Sequence, residues 1–236
     1  MSGLHLLRWD APGPYVVAFS TRVGGVSQGR FASLNLGRRS GDEPERVDEN
    51  RRRLCAELGV APADAALNYQ VHSAVVRRAR RGVRGEPGDG LWTDEPGLPI
   101  IALTADCVPI ALARTNGTPA VAVLHAGRLG LLAGIVANAV DALGGRAAAA
   151  IGPAAGPCCY EVGEEVAAPY RARFGRQIMR GRNLDLWQAA ERLLREAGVE
   201  QISRTDVCTI CDPELFFSYR RDGKPYGGQG VIAYVY

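Results

Sequence analysis

Ala120-Val121-Ala122-Val123-Leu124-His125-Ala126-Gly127, followed by an apolar stretch from Leu129 to Leu143, is the segment that decides how this chain is read. Ala120 to Leu124 is a short continuous apolar run, the pattern of a buried strand. The run stops at His125-Ala126-Gly127, and Leu129 to Leu143 then reads as an apolar helix. A strand, a tight glycine turn and a helix form the place in α/β proteins where side chains and helix amides meet a ligand.

Working outward, Leu98 to Leu103 is a second short apolar run, ending at Thr104-Ala105-Asp106-Cys107, and Ala147 to Ile151 gives another before Gly152-Pro153. Val108 to Ala113 fits strand or helix, which periodicity alone does not arbitrate. Pro14 to Phe19 reads as a strand before the glycine-rich turn Ser20-Thr21-Arg22-Val23-Gly24-Gly25. Ala66 to Val76 reads as extended, with His72 inside it or at its end. Ile202 to Cys208, Leu215 to Arg220 and Val231 to Tyr236 read as short closing strands. Helices are expected over Asp42 to Leu58, where Val47, Asn50 and Leu54 recur at helical spacing, over Gly163 to Tyr170, and over Leu184 to Ala197. There is no repeat and no linker, so one mixed domain over residues 1–236 is the economical organisation.

The chain has 236 residues, a net charge of +3 and a single lysine, Lys224. That length can bury a sizeable core. Such mild basicity implies no nucleic-acid partner. The densest basic run, Arg77 to Arg84, is broken at once by Gly82 and Gly85-Glu86-Pro87-Gly88, and reads as a solvated turn. No stretch approaches a membrane helix in length, and Met1 to Trp9 carries no signal core. The expected location is therefore the cytoplasm, with reduced thiols. The six cysteines are too few and too irregular for a disulfide framework. Cys208-Thr209-Ile210-Cys211 is an isolated C-x-x-C. A structural zinc there needs two more ligands, for which the adjacent Cys158 and Cys159 are awkward candidates.

Three histidines are present, and two of them, His72 and His125, lie with Cys107 in short distinctive runs. Two imidazoles and a thiolate suit a borderline-soft metal and leave one tetrahedral position open, as in catalytic zinc sites. The same residues admit plainer roles. Cys107 could pack in a core, a histidine after a strand often bonds backbone, and Cys107 could be a nucleophile with His125 as its base.

The chain resembles the laccase-domain family, also called YfiH-like or "polyphenol oxidase" proteins. The resemblance rests on Ser20-Thr21-Arg22-Val23-Gly24-Gly25-Val26-Ser27, Ser33-Leu34-Asn35-Leu36-Gly37, Gly41-Asp42-Glu43-Pro44, Gln70-Val71-His72-Ser73, Thr104-Ala105-Asp106-Cys107-Val108-Pro109 and His125-Ala126-Gly127. Ile151-Gly152-Pro153, Cys159-Tyr160-Glu161-Val162-Gly163, Leu184-Asp185-Leu186 and Phe216-Phe217-Ser218-Tyr219-Arg220-Arg221-Asp222-Gly223 extend it over nearly the whole chain. After His125-Ala126-Gly127 the family usually has Trp, Arg, Gly; here stand Arg128, Leu129 and Gly130. Where the family has a Gly-Arg pair near the end, here stand Gly227-Gly228-Gln229. The resemblance implies an α+β fold, a single-domain mixed sandwich of two sheets flanked by helices (α/β/β/α layers). It also implies a zinc-dependent purine nucleoside phosphorylase with adenosine deaminase as a second activity. Adenosine, inosine, guanosine or methylthioadenosine and phosphate would be the small-molecule partners, with zinc on His72, Cys107 and His125.

Residue chemistry sets expectations for the rest of such a site. Three histidines cannot supply a multicopper relay, and a single His2Cys copper wants an axial ligand such as Met; apart from Met1 the only methionine is Met179. Zinc is therefore the expected metal, with a mononuclear copper oxidase of phenols as the alternative and a non-catalytic nucleoside- or metal-binding protein as another. Arg22, beside Gly24 and Gly25 in a turn able to form an anion nest, and Arg128, at a helix start, are the phosphate candidates. Asp106 is the candidate proton shuttle, effective only if the strand has ended there, with Glu161 as the alternative. Asn35, Asn68 and Gln70 could read ribose or purine edges, and Tyr69 and Phe217 could stack on a base.

Overall fold

The computed structural model describes residues 3–236. Chain order begins β1 (Leu6–Trp9), β2 (Tyr15–Ser20), α1 (Pro44–Glu57), β3 (Ala66–Tyr69), β4 (Val76–Arg78), β5 (Arg84–Pro87) and β6 (Gly90–Thr93). It continues β7 (Ile100–Thr104), β8 (Val108–Arg114), β9 (Val121–Ala126), α2 (Arg128–Leu132), α3 (Ile135–Leu143), β10 (Ala147–Ile151) and α4 (Glu164–Phe174). It closes β11 (Met179–Arg180), β12 (Asn183–Leu184), α5 (Leu186–Glu196), β13 (Gln201–Arg204), α6 (Tyr219–Asp222) and β14 (Gln229–Val235).

Two six-stranded sheets form the frame, one in the order β1-β2-β14-β7-β3-β5 and the other β13-β10-β8-β9-β6-β4. Both are mixed. β3 is parallel to β5 and β7, β4 to β6, and β10 to β13, while the central pairs are antiparallel. Alternation along each central strand sends side chains to two different cores. Val17, Phe19, Ile100, Ala102 and Val231 meet Ala111, Val121 and Val123 between the sheets. The alternate residues Ile110, Leu112, Ala122 and Leu124 pack outward against α3, α4 and α5 through Ile135, Ala139, Tyr170, Phe174, Leu186 and Leu194. On the opposite face Ala18, Ile101 and Ile232 cover Leu54 of α1. The result is the expected α/β/β/α layering. Each large aliphatic side chain so buried contributes about 1.5–3 kcal/mol against unfolding.

Several elements depart from the sequence reading. Val108 to Ala113 resolves as strand, pinned on both sides by β9 and β10. Leu129 to Leu143 is not one helix but α2 and α3, broken at Gly134, whose φ of 93° leaves the helical region. The extended reading of Ala66 to Val76 splits into β3 and β4, because the amides of Val71, His72 and Ser73 turn inward to one carboxylate, Asp89. Leu215 to Arg220 is not a strand. Phe216 and Phe217 are buried, and Ser218 Oγ accepts from Arg221 N to start α6. The basic run is solvated, with Arg78 paired to Asp94, Arg80 to Glu86 and Arg81 to Asp64 and Glu95. Among the described residues no helix is long and apolar enough to cross a membrane.

Candidate metal centre

The alternation that builds the core also builds the site. Val121 and Val123 face the inter-sheet core, and His125 is the next residue on that face, near the end of β9 and opposite Pro109 of β8. The core therefore ends in an imidazole. Cys107 lies in the turn between β7 and β8, immediately after Asp106, whose φ is 89°. His72 comes from the loop after β3 with φ 60°. Neither Asp106 nor His72 is glycine, and such conformations persist where the surroundings over-determine them.

These surroundings can be named. Asp106 Oδ1 accepts from Thr209 Oγ1 at 2.7 Å and Oδ2 from Arg220 N at 2.6 Å, while Ala155 N donates to its carbonyl at 2.9 Å. The His72 loop is held by Asp89, which sequence reasoning missed. Asp89 accepts from Val71 N, His72 N, Ser73 N and Ser73 Oγ, and at 2.8 Å from His125 Nδ1. His125 N also donates to the Asp89 carbonyl at 2.7 Å. One buried carboxylate thus orients both histidines and leaves Nε2 of His125 to face the site. Its only signal in the sequence is its place between Gly88 and Gly90, which says nothing about its partners.

His72 Nε2 lies 3.8 Å from Cys107 Sγ, the two imidazole rings stand nearly perpendicular at 4.8 Å, and the ligand atoms of His72, Cys107 and His125 all lie within 4.8 Å of one another. A tetrahedral zinc with Zn–S of about 2.3 Å and Zn–N of about 2.0 Å fits inside such a triangle with one position free. Burial alone would raise the Cys107 thiol, but the His125 and His72 imidazoles outweigh it and lower it to about 6. Burial would lower His125, but the Cys107 thiolate and Asp89 raise it to about 9. Cys107, His125 and Asp89 alone would also suit a cysteine nucleophile; a second imidazole 3.8 Å from the sulfur makes metal ligation the better use of the three.

The triad lines a cavity of about 660 Å³, within the range of small-molecule sites. Gln70, Asn68 and Tyr69 line it, but the two side-chain amides are engaged: Gln70 exchanges two hydrogen bonds with the backbone of Leu103, and Asn68 Nδ2 donates to Gly90 O. Asn35 is fully buried and braces the wall, bonded to Ser40, Asp42, Gly37 N and Gly228 N. Arg22 does not line the cavity. Its guanidinium donates to Ala32 O and Pro213 O over the ring of Phe217, itself buried, and the Gly24 and Gly25 amides are spent on Ser33 Oγ. Arg128 is exposed at the start of α2, and Glu161 pairs with Arg182; neither lines the cavity. The cations that do are Arg38, Arg39, Arg51, Arg84 and Lys224, and the aromatic pair Tyr219 and Tyr226 lines it as well.

Gly127 closes against the triad. A Cβ there would stand 2.8 Å from His72 Cδ2 and 3.2 Å from Cys107 Sγ, although φ −70° itself tolerates alanine. Gly127→Ala is expected to leave the unfolding midpoint nearly unchanged, because the exposed His72 ring can swing, and to weaken zinc about tenfold or more. A competition titration with a chromogenic chelator checks this; wild-type affinity would contradict the placement of His72.

Residues 16–235 match the family described as multi-copper polyphenol oxidoreductase laccase. A protein named purine nucleoside phosphorylase from Deinococcus radiodurans is 43% identical, covering 98% of this chain and 92% of its own. Purine nucleoside phosphorylase YfiH from Shigella flexneri is 38% identical over 94% of this chain and 95% of its own. The crystal structure of YlmD from Geobacillus stearothermophilus superposes with a TM-score of 0.90 at 33% identity, over 100% of this chain and 97% of that one. By sequence and by fold, this chain belongs to the laccase-domain, YfiH-like family.

Proposed function

We propose that the chain is a zinc-dependent purine nucleoside phosphorylase, acting on a purine nucleoside and phosphate at the cavity lined by His72, Cys107 and His125. The observation that carries this reading is the joining of that ligand set to a cavity whose walls are cationic and aromatic at once. The relatives' name, purine nucleoside phosphorylase, agrees with it. In phosphorolysis a phosphate oxygen forms a bond to the ribose anomeric carbon, and the bond from that carbon to the purine breaks. The purine leaves with the electron pair and takes up a proton.

Zinc, when bound, supplies a Lewis acid with one open position. The chain's own groups do the rest. Asp89 holds the His125 Nδ1 proton and so fixes the imidazole that faces the site. Arg39, whose guanidinium lies 3.9 Å over the Tyr69 ring, and Lys224 have no ion-pair partner among the described residues, which leaves their donors for a phosphate. Tyr69 and Tyr219 are partly exposed in the cavity and offer faces for a purine.

Zinc is favoured over copper because Met179 packs against the helical core and does not line the cavity, so no thioether is offered as an axial ligand. Three histidines in the chain exclude a multicopper relay whatever the family is called. Deamination of adenosine asks for a carboxylate free to shuttle a proton. Both Asp106 oxygens are already occupied and Glu161 faces Arg182, so we rank that activity behind phosphorolysis and give Asp106 a positioning role. Arg39→Ala is expected to raise the KM for phosphate about tenfold, the worth of one charge-assisted hydrogen bond, with a smaller change in the nucleoside KM. Steady-state kinetics varying each substrate decides; an unchanged phosphate KM would count against this phosphate site.

A further inference from the structure

A second cluster of metal-ligating side chains lies outside the cavity. Cys158, Cys159, Cys208 and Cys211 come together with all four sulfurs within 4.8 Å of one another, and none of the four lines the cavity. The adjacency of Cys158 and Cys159, awkward in the sequence, is resolved by a turn: Cys159 N and Tyr160 N both donate to Gly156 O. The C-x-x-C forms a second turn directly opposite. Cys208 makes a parallel bridge with Ala154, and Ala154 O accepts from Thr209 N. Cys211 Sγ stands 3.4 Å from Cys158 Sγ and 3.1 Å from Cys159 Sγ.

We propose that these four cysteines form a closed structural zinc site, separate from the His2Cys centre. Tetrahedral zinc with Zn–S of about 2.3 Å separates its sulfurs by about 3.8 Å, so the two Cys211 contacts at 3.4 and 3.1 Å open by less than about 1 Å, within the reach of side-chain rotation. One corner also has a backbone donor: Gly156 N donates to Cys208 Sγ at 3.3 Å. Such a donor favours a thiolate and belongs to the outer shell a metal-bound sulfur needs. Four protein ligands leave no open position, so the role is structural.

The site ties the turn after β10 to the segment running from Cys208 to α6. That segment supplies Thr209 Oγ1 and Arg220 N to Asp106, and so holds the turn that presents Cys107. A metal here braces the catalytic turn from behind, whatever substrate the cavity takes.

The test uses the full chain carrying Cys107→Ala, which disables the His2Cys centre, loaded with zinc and dialysed against metal-free buffer. One zinc per chain is expected, with X-ray absorption showing a first shell of sulfur alone at about 2.3 Å, and the unsubstituted protein should hold two. Adding Cys208→Ser, or the exposed Cys158→Ser should the buried change block folding, removes that remaining ion and lowers the unfolding midpoint. The proposal is overturned if Cys107→Ala holds no zinc, if its shell contains nitrogen or oxygen, if iron occupies the cluster in the isolated protein, or if Cys211 is found in a disulfide with Cys158 or Cys159 after purification under reducing conditions.

Discussion

Replacing Cys107 by alanine is expected to lower zinc content by one equivalent and to abolish turnover with it. Cys107 is the only anionic ligand among the three, and its thiol, lowered to about 6, is already a thiolate at neutral pH. Removing it leaves two imidazoles and no anionic ligand, for which occupancy of this centre should fall below about a tenth at micromolar zinc. His72→Ala and His125→Ala should act in the same direction, because each removes one corner of a three-ligand set. The check is metal analysis beside a single activity assay on each variant. Full zinc content in all three would sink the ligand assignment, and lost activity with retained metal would point instead to the cysteine-nucleophile alternative.

Asp89→Ala is expected to be nearly as severe, through position rather than contact. Asp89 is buried and accepts from the Val71, His72 and Ser73 amides, from Ser73 Oγ and from His125 Nδ1. Burial would raise its carboxyl, but the bonds from His125 and Ser73 prevail and hold it far below the usual carboxylate range. A group depressed in the folded state contributes stability above its unfolded value, and that contribution is lost as pH falls toward the folded one. The Asp89 contribution is therefore whole at neutral pH and disappears only in strong acid. Alanine strips the buried His125 Nδ1 and the half-buried donors of the His72 loop of their acceptor at once, which should cost about 3 kcal/mol and loosen zinc about 10–100-fold. Denaturant unfolding and chelator competition measure the two effects separately. A variant with wild-type midpoint and wild-type zinc affinity would show that the His72 loop is held by something else.

What was legible in the sequence follows from the range of the interactions involved. The strand ending in His125 was legible because alternation is local: Val121, Val123 and His125 share a face by period alone. The break at Gly134 was equally local, marked by a glycine inside an apolar helix pattern, but the apolar run on both sides masked it. Asp89 was invisible because its partners lie 16 to 36 residues away, and no pattern around Gly88-Asp89-Gly90 announces them. The same holds for the cavity cations. Arg22 looked like an anion ligand because of the glycines beside it, yet its donors are claimed by carbonyls at residues 32 and 213. Arg39 and Lys224, without any motif, were brought to the cavity by the folding of loops. Leu215 to Arg220 reads as a strand because Phe216 and Phe217 are apolar, but they are apolar for burial, not for a place in a sheet.

The most direct measurement is product analysis on zinc-loaded protein given inosine or adenosine, each with and without phosphate, with Cys107→Ala assayed in parallel. Free purine base and ribose 1-phosphate are expected in equal amounts, only when phosphate is present and only from the protein with Cys107 intact. Base release that ignores phosphate, or fully loaded protein that binds nucleoside and releases nothing, would contradict the phosphorylase assignment, and the second result would make this chain a binding protein.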